Sequence, residues 1–507
     1  MVVRDESTPA QPLLWGYPKG IFLVAGTELW ERFSYWGLMA IFVLFLTAGV
    51  EQGGFGWTQV DAIKLYGAYV GAAFAGPLLG GWVANNYWGE RRCILLGGLM
   101  IAAGHLCLAG PAVIPWLVSQ LSTPVSDEVF RSLWLHANVP LGQWSLSAEQ
   151  WRQVTVAAQE RGITLATAMA VYRLTSVSFF GGLLLVLIGT GLIKPTISSI
   201  VSHFFVAGDR RRDSAFGLFF AAVYVGCILG TAVVGFLGER AGWHWGFAAA
   251  ALGMLLSLTV YLWKQRDYLG DIGVTPVGKG EGLAALRRLT QPERDRIKVI
   301  LWQGLFTALY AAAFFQAGGL LLLFVDAYLD RRLLGWTIPS TWLINVATIS
   351  FVIFTPCAIR LWSRLEQRDR NPSAPTKLAW GLLVIGSAYL LLTCLAATVS
   401  ENDGSKVSWL WMALVYLCFG IGDVLVWPNQ IALTSRLAPR ELSAVFIGGW
   451  YITIGIGTWM TGYIGALGYT WGLRPLFLTM SLTLLLLGAI AWWLTPRILL
   501  LTHGLER

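Results

Sequence analysis

Four ionisable residues sit inside apolar runs: Glu28, Glu31 and Arg32 in IFLVAGTELWERFSYWGLMAIFVLFLT (21–47), and Lys194 in the run 177–204. A run of that length crosses a bilayer, because about 20 residues suffice at roughly 1.5 Å each. A charge at that depth costs roughly 2.5–3.5 kcal/mol on insertion scales, so it belongs in a protein interior or on a water-filled path. At about 100° per residue, Glu28, Glu31, Arg32, Tyr35 and Met39 fall along one helical stripe. Glu31, Lys194 and Asp423 each lie ten or eleven residues from the basic-loop end of their run, a depth of roughly 15 Å. Carboxylates and cations matched in depth on different helices can neutralise one another around a cavity. A carboxylate held between a dry interior and a nearby cation can take up and release a proton as the cavity opens to either side. The same residues can equally form a static ion-pair network that pins helix packing.

The elements that must position these groups are plain from hydropathy. The chain has 507 residues, 56% hydrophobic and 13% charged, too little polar surface for a water-soluble fold. Twelve apolar runs recur near 21–47, 60–84, 92–115, 177–204, 213–236, 243–264, 298–325, 341–362, 377–398, 408–434, 441–466 and 473–495. The expected fold is an all-α membrane protein with twelve transmembrane helices. The net charge of +8 is distributed in alternate short loops: Arg91-Arg92, Arg210-Arg211-Arg212, the 265–297 linker, Arg364 to Arg370, then Arg436 and Arg440. That alternation sets topology with both termini cytoplasmic and argues against nucleic-acid binding. The segment 116–176 falls outside, its four Arg matched by Asp127, Glu128, Glu149 and Glu160.

The polar linker 265–297 falls between the sixth and seventh runs and divides the chain into six-helix halves, 1–264 and 298–507. Many secondary transporters use that arrangement, with the substrate site between halves near the midplane. Within the external insert 116–176, SAEQWRQVTVAAQERG reads as an amphipathic helix lying on the surface or packed on the outer mouth. Asn429 and Gln430 follow Pro428 and either satisfy the backbone groups Pro frees or line the cavity. Trp427 and Trp450 are pocket or interfacial residues, and His105 a packed histidine. The six cysteines are scattered in apolar runs and read as core residues. No metal-like pair, nucleophile elbow, HExxH or phosphate-cradling loop is present in the sequence, so no enzyme and no cofactor is expected. Because the N-terminus lacks a cleavable leader pattern, the first membrane helix is expected to do the targeting.

ELWERFSYWG (Glu28 to Gly37) resembles the ExxERFxYYG signature of proton-coupled oligopeptide transporters of the major facilitator superfamily. The resemblance continues in GTGLIKPTIS (Gly189 to Ser198), in the stretch Trp243 to Phe247, and in SRLAP (Ser435 to Pro439), while GGWVANNYWGERR (80–92) resembles the facilitator loop after the second helix. The resemblance implies the major facilitator fold and a proton-linked cluster of Glu28, Glu31, Arg32 and Lys194. It implies that Tyr35 lines the peptide pocket, and that Asn345 and Asp423 (in place of the usual Glu) meet the peptide amino terminus.

The departures from the family pattern are coherent. The motif's second Tyr is Trp36, the Arg that would hold a peptide carboxylate is Met39, and the Glu paired with that Arg is Phe315. Both halves of one salt bridge are missing together, as expected when losing one would strand a buried charge. Phe74 stands for the pocket Tyr of the second helix and Tyr224 for the Asn of the fifth, while Asn85 and Asn86 replace the loop Asp and Arg. The resulting pocket, with Trp427, is more aromatic and less cationic, and Lys194 remains for a substrate anion.

The expectation is a proton-coupled symporter that imports small peptides or peptide-like compounds, driven by the proton gradient. It would work as a monomer in the plasma (inner) membrane, with no nucleic-acid partner. A transporter of aromatic or anionic non-peptides, and a non-transporting membrane sensor on the same fold, are the alternatives.

Overall fold

The computed structural model describes residues 13–121, 126–205, 211–276, 289–399, 406–439 and 442–506. Arg210, Arg440 and the middle of the expected linker (277–288) lie outside the described residues. The membrane-crossing helices of the first half are α1 (Lys19–Thr47), α2 (Gln59–Val83), α3 (Glu90–Ala109), α7 (Leu165–His203), α8 (Arg211–Arg240) and α9 (Trp243–Leu269). The insert between α3 and α7 carries α4 (Ile114–Leu121), α5 (Asp127–Ala137) and α6 (Ala148–Glu160). The second half begins with α10 (Gln291–Phe314) and α11 (Leu320–Tyr328), one span broken by a 3-10 turn at Phe315–Gly318. It continues with α12 (Asn345–Glu366), α13 (Ala374–Thr398), α14 (Trp409–Leu437), α15 (Ser443–Ala466), the single turn α16 (Gly468–Trp471) and α17 (Leu473–Leu501). Among the described residues eleven spans are long and apolar enough to cross a membrane, and the 24-residue α15 makes the twelfth crossing. The chain is an all-α membrane protein with the major facilitator fold, two six-helix halves side by side.

The halves are built alike. In each, the first helix is the most enclosed, with 83% of its most apolar window buried in both α1 and the α10–α11 span. α1 is wrapped by α8 and α9, and α10 by α15, α14 and α17. The halves meet where α2 lies along α15 and where α8 meets α12. Close approach of α2 and α15 depends on glycine: a Cβ at Gly67 would sit 2.5 Å from the backbone nitrogen of Gly462. Small residues at such crossings let dispersion contacts form along the whole seam.

Irregular backbone at this depth must find partners within the protein. The break at 315–318 does so through tyrosines and a threonine. Tyr66 donates to the Phe315 carbonyl at 3.2 Å, Tyr416 to Ala317 at 3.2 Å, Tyr389 to Ala313 at 2.8 Å, and Thr461 to Ala312 at 3.0 Å. In α14, Pro428 cannot donate to Val424, and the Asn429 side chain donates to Val424 and Leu425 at 3.1 and 3.0 Å. Asn429 is therefore the backbone partner of the two readings, and Gln430 donates to Ala374 at 2.9 Å.

The insert helix read from SAEQWRQVTVAAQERG is α6, opened by a capping box between Ser147 and Gln150. Its buried Val154, Ala157 and Ala158 pack with Phe130, Trp134 and Tyr172 in a small separate core. The boundary expected at 177 is corrected to Leu165: Thr164 caps α7, whose first turns carry Ala168, Val171 and Tyr172 into that core. The linker is shorter than expected at both ends, because α9 continues to Leu269 and α10 starts at Gln291. All six cysteines are free. His105 is fully buried on α3.

Candidate functional site

On α1 the spacing i, i+3, i+4 places Glu28, Glu31 and Arg32 together on the side that faces the protein interior, each no more than 5% exposed. The Arg32 Nε stands 3.1 Å from Glu28 Oε1, and a terminal nitrogen of the same guanidinium contacts Glu31 Oε2. One cation therefore serves two carboxylates. Glu28 Oε2 and Glu31 Oε1 are buried without hydrogen-bond partners. The arrangement requires α8 to lie close on α1, where Gly226 and Gly230 face the backbone of Leu29 and Phe33.

Lys194 on α7 is the second cation. No described carboxylate lies within ion-pair distance of it, so the depth-matched carboxylates of α1 pair with Arg32 and not with Lys194 in this conformation. Its Nζ instead sits 4.3 Å from the centre of the Phe74 ring and 5.4 Å from that of Tyr451. Those rings belong to α2 and α15, one from each half, and their faces stabilise an ammonium electrostatically. Two anions and two cations balance across the cluster, with both anions on Arg32 and Lys194 left facing the rings.

Beside the charged cluster runs a wall of rings centred on Phe315. Trp36 stacks on Phe315 (centroids 6.5 Å apart, planes 13° apart), Phe74 meets it edge-on at 5.3 Å, and Trp427 lies 6.5 Å away. Trp427 continues to Trp450 at 6.1 Å. Tyr35 meets Trp36 edge-on at 5.8 Å, and Met39, one turn further along α1, is buried in the same cluster. The helix break at 315–318 is what turns Phe315 toward both halves at once.

Two expected pocket residues stand elsewhere along the seam. Tyr224 of α8 stacks on Phe351 of α12 at 4.7 Å, and Asn345 Nδ2 donates to Ile228 at 3.3 Å while its Oδ1 is buried without a partner. Asp423 does not join the α1 cluster as depth matching suggested. It stays within the second half, where Tyr310 donates to its Oδ1 at 3.0 Å. Tyr310, Tyr451, Phe314 and Trp450 were not singled out as site residues from sequence, except Trp450 as a possible lining. The signal for Tyr310 and Phe314 was their i, i+4 spacing ahead of Phe315.

The family model described as "POT family" matches residues 91–270 and 288–470. Among curated proteins, the chain is 24% identical to an uncharacterized transporter, YclF, of Bacillus subtilis, with 97% of this chain and 96% of that one covered. It is also 24% identical to the peptide transporter YePEPT of Yersinia enterocolitica, with 91% and 90% covered. Among solved structures, a peptide transporter POT in complex with sulfate superposes with a TM-score of 0.79 at 24% identity, covering 97% of this chain and 98% of that chain. A POT family transporter in complex with 5-aminolevulinic acid superposes with a TM-score of 0.76 at 20% identity, covering 96% and 98%. With the family model spanning well over half of its length, and the same fold in both halves, the chain belongs to the POT family of membrane transporters.

Proposed function

We propose that the protein is a proton-coupled symporter that imports small peptides or peptide-like compounds by alternating access. The observation that carries this reading is the buried set Glu28, Glu31 and Arg32, with Lys194 at the junction of the halves in no ion pair with a described carboxylate. Protonation of a carboxylate beside Arg32 frees part of the guanidinium's pairing. A substrate anion then meets two cations, Arg32 and Lys194, and its binding draws the halves together. On this reading the insert faces outward, both termini are cytoplasmic, the membrane is a plasma (inner) membrane, and one chain suffices for transport.

In this assignment Asp423 and Asn345 receive the substrate's ammonium and the Phe315 wall receives its side chain. A second reading is favoured by that wall: with Met39 and Phe315 uncharged, a non-peptide carrying an aromatic group and an anion is also accommodated. Uptake into liposomes under an inward proton gradient separates the two. Accumulation of an apolar dipeptide supports the first, and accumulation confined to aromatic acids supports the second. No gradient-driven uptake of either class, by folded protein, would sink the symport reading.

The ammonium assignment predicts that Asp423→Asn raises the KM for free-amine substrates roughly tenfold to a hundredfold, the scale of a lost charge-assisted hydrogen bond of about 1.5–3 kcal/mol. N-acetylated analogues should be affected little. Equal losses for both substrate types, read from uptake kinetics, would show that Asp423 serves only the packing around Tyr310.

A further inference from the structure

We propose that Glu239 is the latch that closes the insert-side gate, a positioning residue that caps a helix of the opposite half. This rests on the alternating-access reading above. Glu239 ends α8 in the first half, while the 3-10 turn Ser340–Ile344 opens α12 in the second. The residue before that turn is Pro339, which supplies no side-chain cap, so the first N–H groups of the turn need an acceptor from elsewhere. Glu239 supplies it across the seam. Its Oε2 accepts from the Ser340 N–H at 2.8 Å, and its Oε1 accepts from the Thr341 N–H at 3.0 Å and the Thr341 hydroxyl at 2.8 Å. Arg331, also of the second half, approaches the same carboxylate at 3.6 Å and is itself fixed by Asp326 at 2.9 Å.

The surroundings are shaped for this contact. One turn earlier on α8, Gly235 faces Thr341 so closely that a Cβ there would overlap its side chain. Arg240 donates to the Thr337 carbonyl, and Trp342 Nε1 donates to Ala232 at 2.9 Å. All these bonds join the halves on the insert side of the seam. Among the described residues, the hydrogen bonds between halves lie from the Phe315 and Asn345 level outward, with none toward the terminal face. The hydrogen bonds between described residues therefore tie the halves on the insert side.

Separating the halves there strands both partners at once. The carboxylate loses these three donors, and the N–H groups of Ser340 and Thr341 lose these acceptors, a negative charge at a helix N-terminus being the favourable arrangement. A latch made of one side chain and main-chain N–H groups depends little on the second half's side chains, Thr341 and Arg331 adding to it.

The test reads conformation, not transport. Spin labels at Gln52 and Leu334, exposed on the insert side of opposite halves, are introduced with the native cysteines replaced. Glu239→Ala is expected to add a longer-distance population and shift the ratio of the two roughly tenfold or more. Glu239→Gln, which keeps the shape and loses the charge, should give a smaller shift in the same direction, and Glu239→Asp should restore most of the short distance. Unchanged distances in Glu239→Ala and Glu239→Gln would overturn the latch, and if the alanine variant fails to fold, the Gln and Asp variants decide. A shifted distance in a protein that transports nothing would instead retain the latch and reject the symport reading.

Discussion

Glu31→Gln abolishes gradient-driven accumulation while leaving exchange of substrate across the membrane measurable. A gradient of one pH unit is worth about 1.4 kcal/mol, or about tenfold accumulation for each coupled proton. Glutamine fixes the protonated shape and removes the charge that Arg32 contacts. The substrate cycle can still run, but no proton accompanies it, so the accumulation ratio falls to one. Counterflow of labelled against unlabelled substrate, which needs no proton movement, should retain an appreciable fraction of the wild-type rate. Glu31 is the choice because its side chain is fully buried and its Oε1 has no hydrogen-bond partner. Full accumulation in this variant would move the proton site to Glu28. Loss of both accumulation and exchange would make Glu31 a structural ion-pair member.

That cluster was legible because it is local. Three residues within five positions share a helix face by periodicity alone, and burial in an apolar run marks them. The backbone role of Asn429 and the amphipathic insert helix were readable for the same reason, since each depends on neighbours within one or two turns. Contacts between distant helices were not. Tyr310 lies 113 positions from Asp423, and the rings that flank Lys194 come from opposite halves of the chain. Equal depth in the membrane placed Lys194 and Asp423 near the α1 carboxylates, but depth says nothing of position around the bundle, and Asp423 turned to its own half. The break at Phe315–Gly318 was hinted at only by the Gly318-Gly319 pair inside an otherwise continuous apolar run. Glu239 carried no signal, because its importance comes from a helix start 100 residues later that has Pro339 where a capping side chain would stand.

The same break makes the second large prediction. Phe315→Glu alone puts a carboxylate where Trp36, Phe74 and Trp427 now pack, with Arg32 already shared by two acids and Lys194 seated against the rings of Phe74 and Tyr451. An unpaired buried charge of this kind costs roughly 3–5 kcal/mol, so the variant should lose much of its thermal stability in detergent. Adding Met39→Arg supplies the missing partner one turn beyond Trp36, restoring the charge pair of the family pattern. The double variant should recover most of the lost stability, and the coupling energy between the two positions should exceed about 1 kcal/mol in a double-mutant cycle. Met39→Arg alone should be destabilising by a similar route. Recovery with the second substitution would show that these two positions form one electrostatic unit and that the aromatic wall occupies its place. Additive losses would mean that the two side chains do not meet in this chain, and that the wall serves a pocket built on a different geometry. Where the double variant is stable, its uptake profile carries the functional consequence: a charged pair in place of the Phe315 ring contacts should lower uptake of the most apolar substrates.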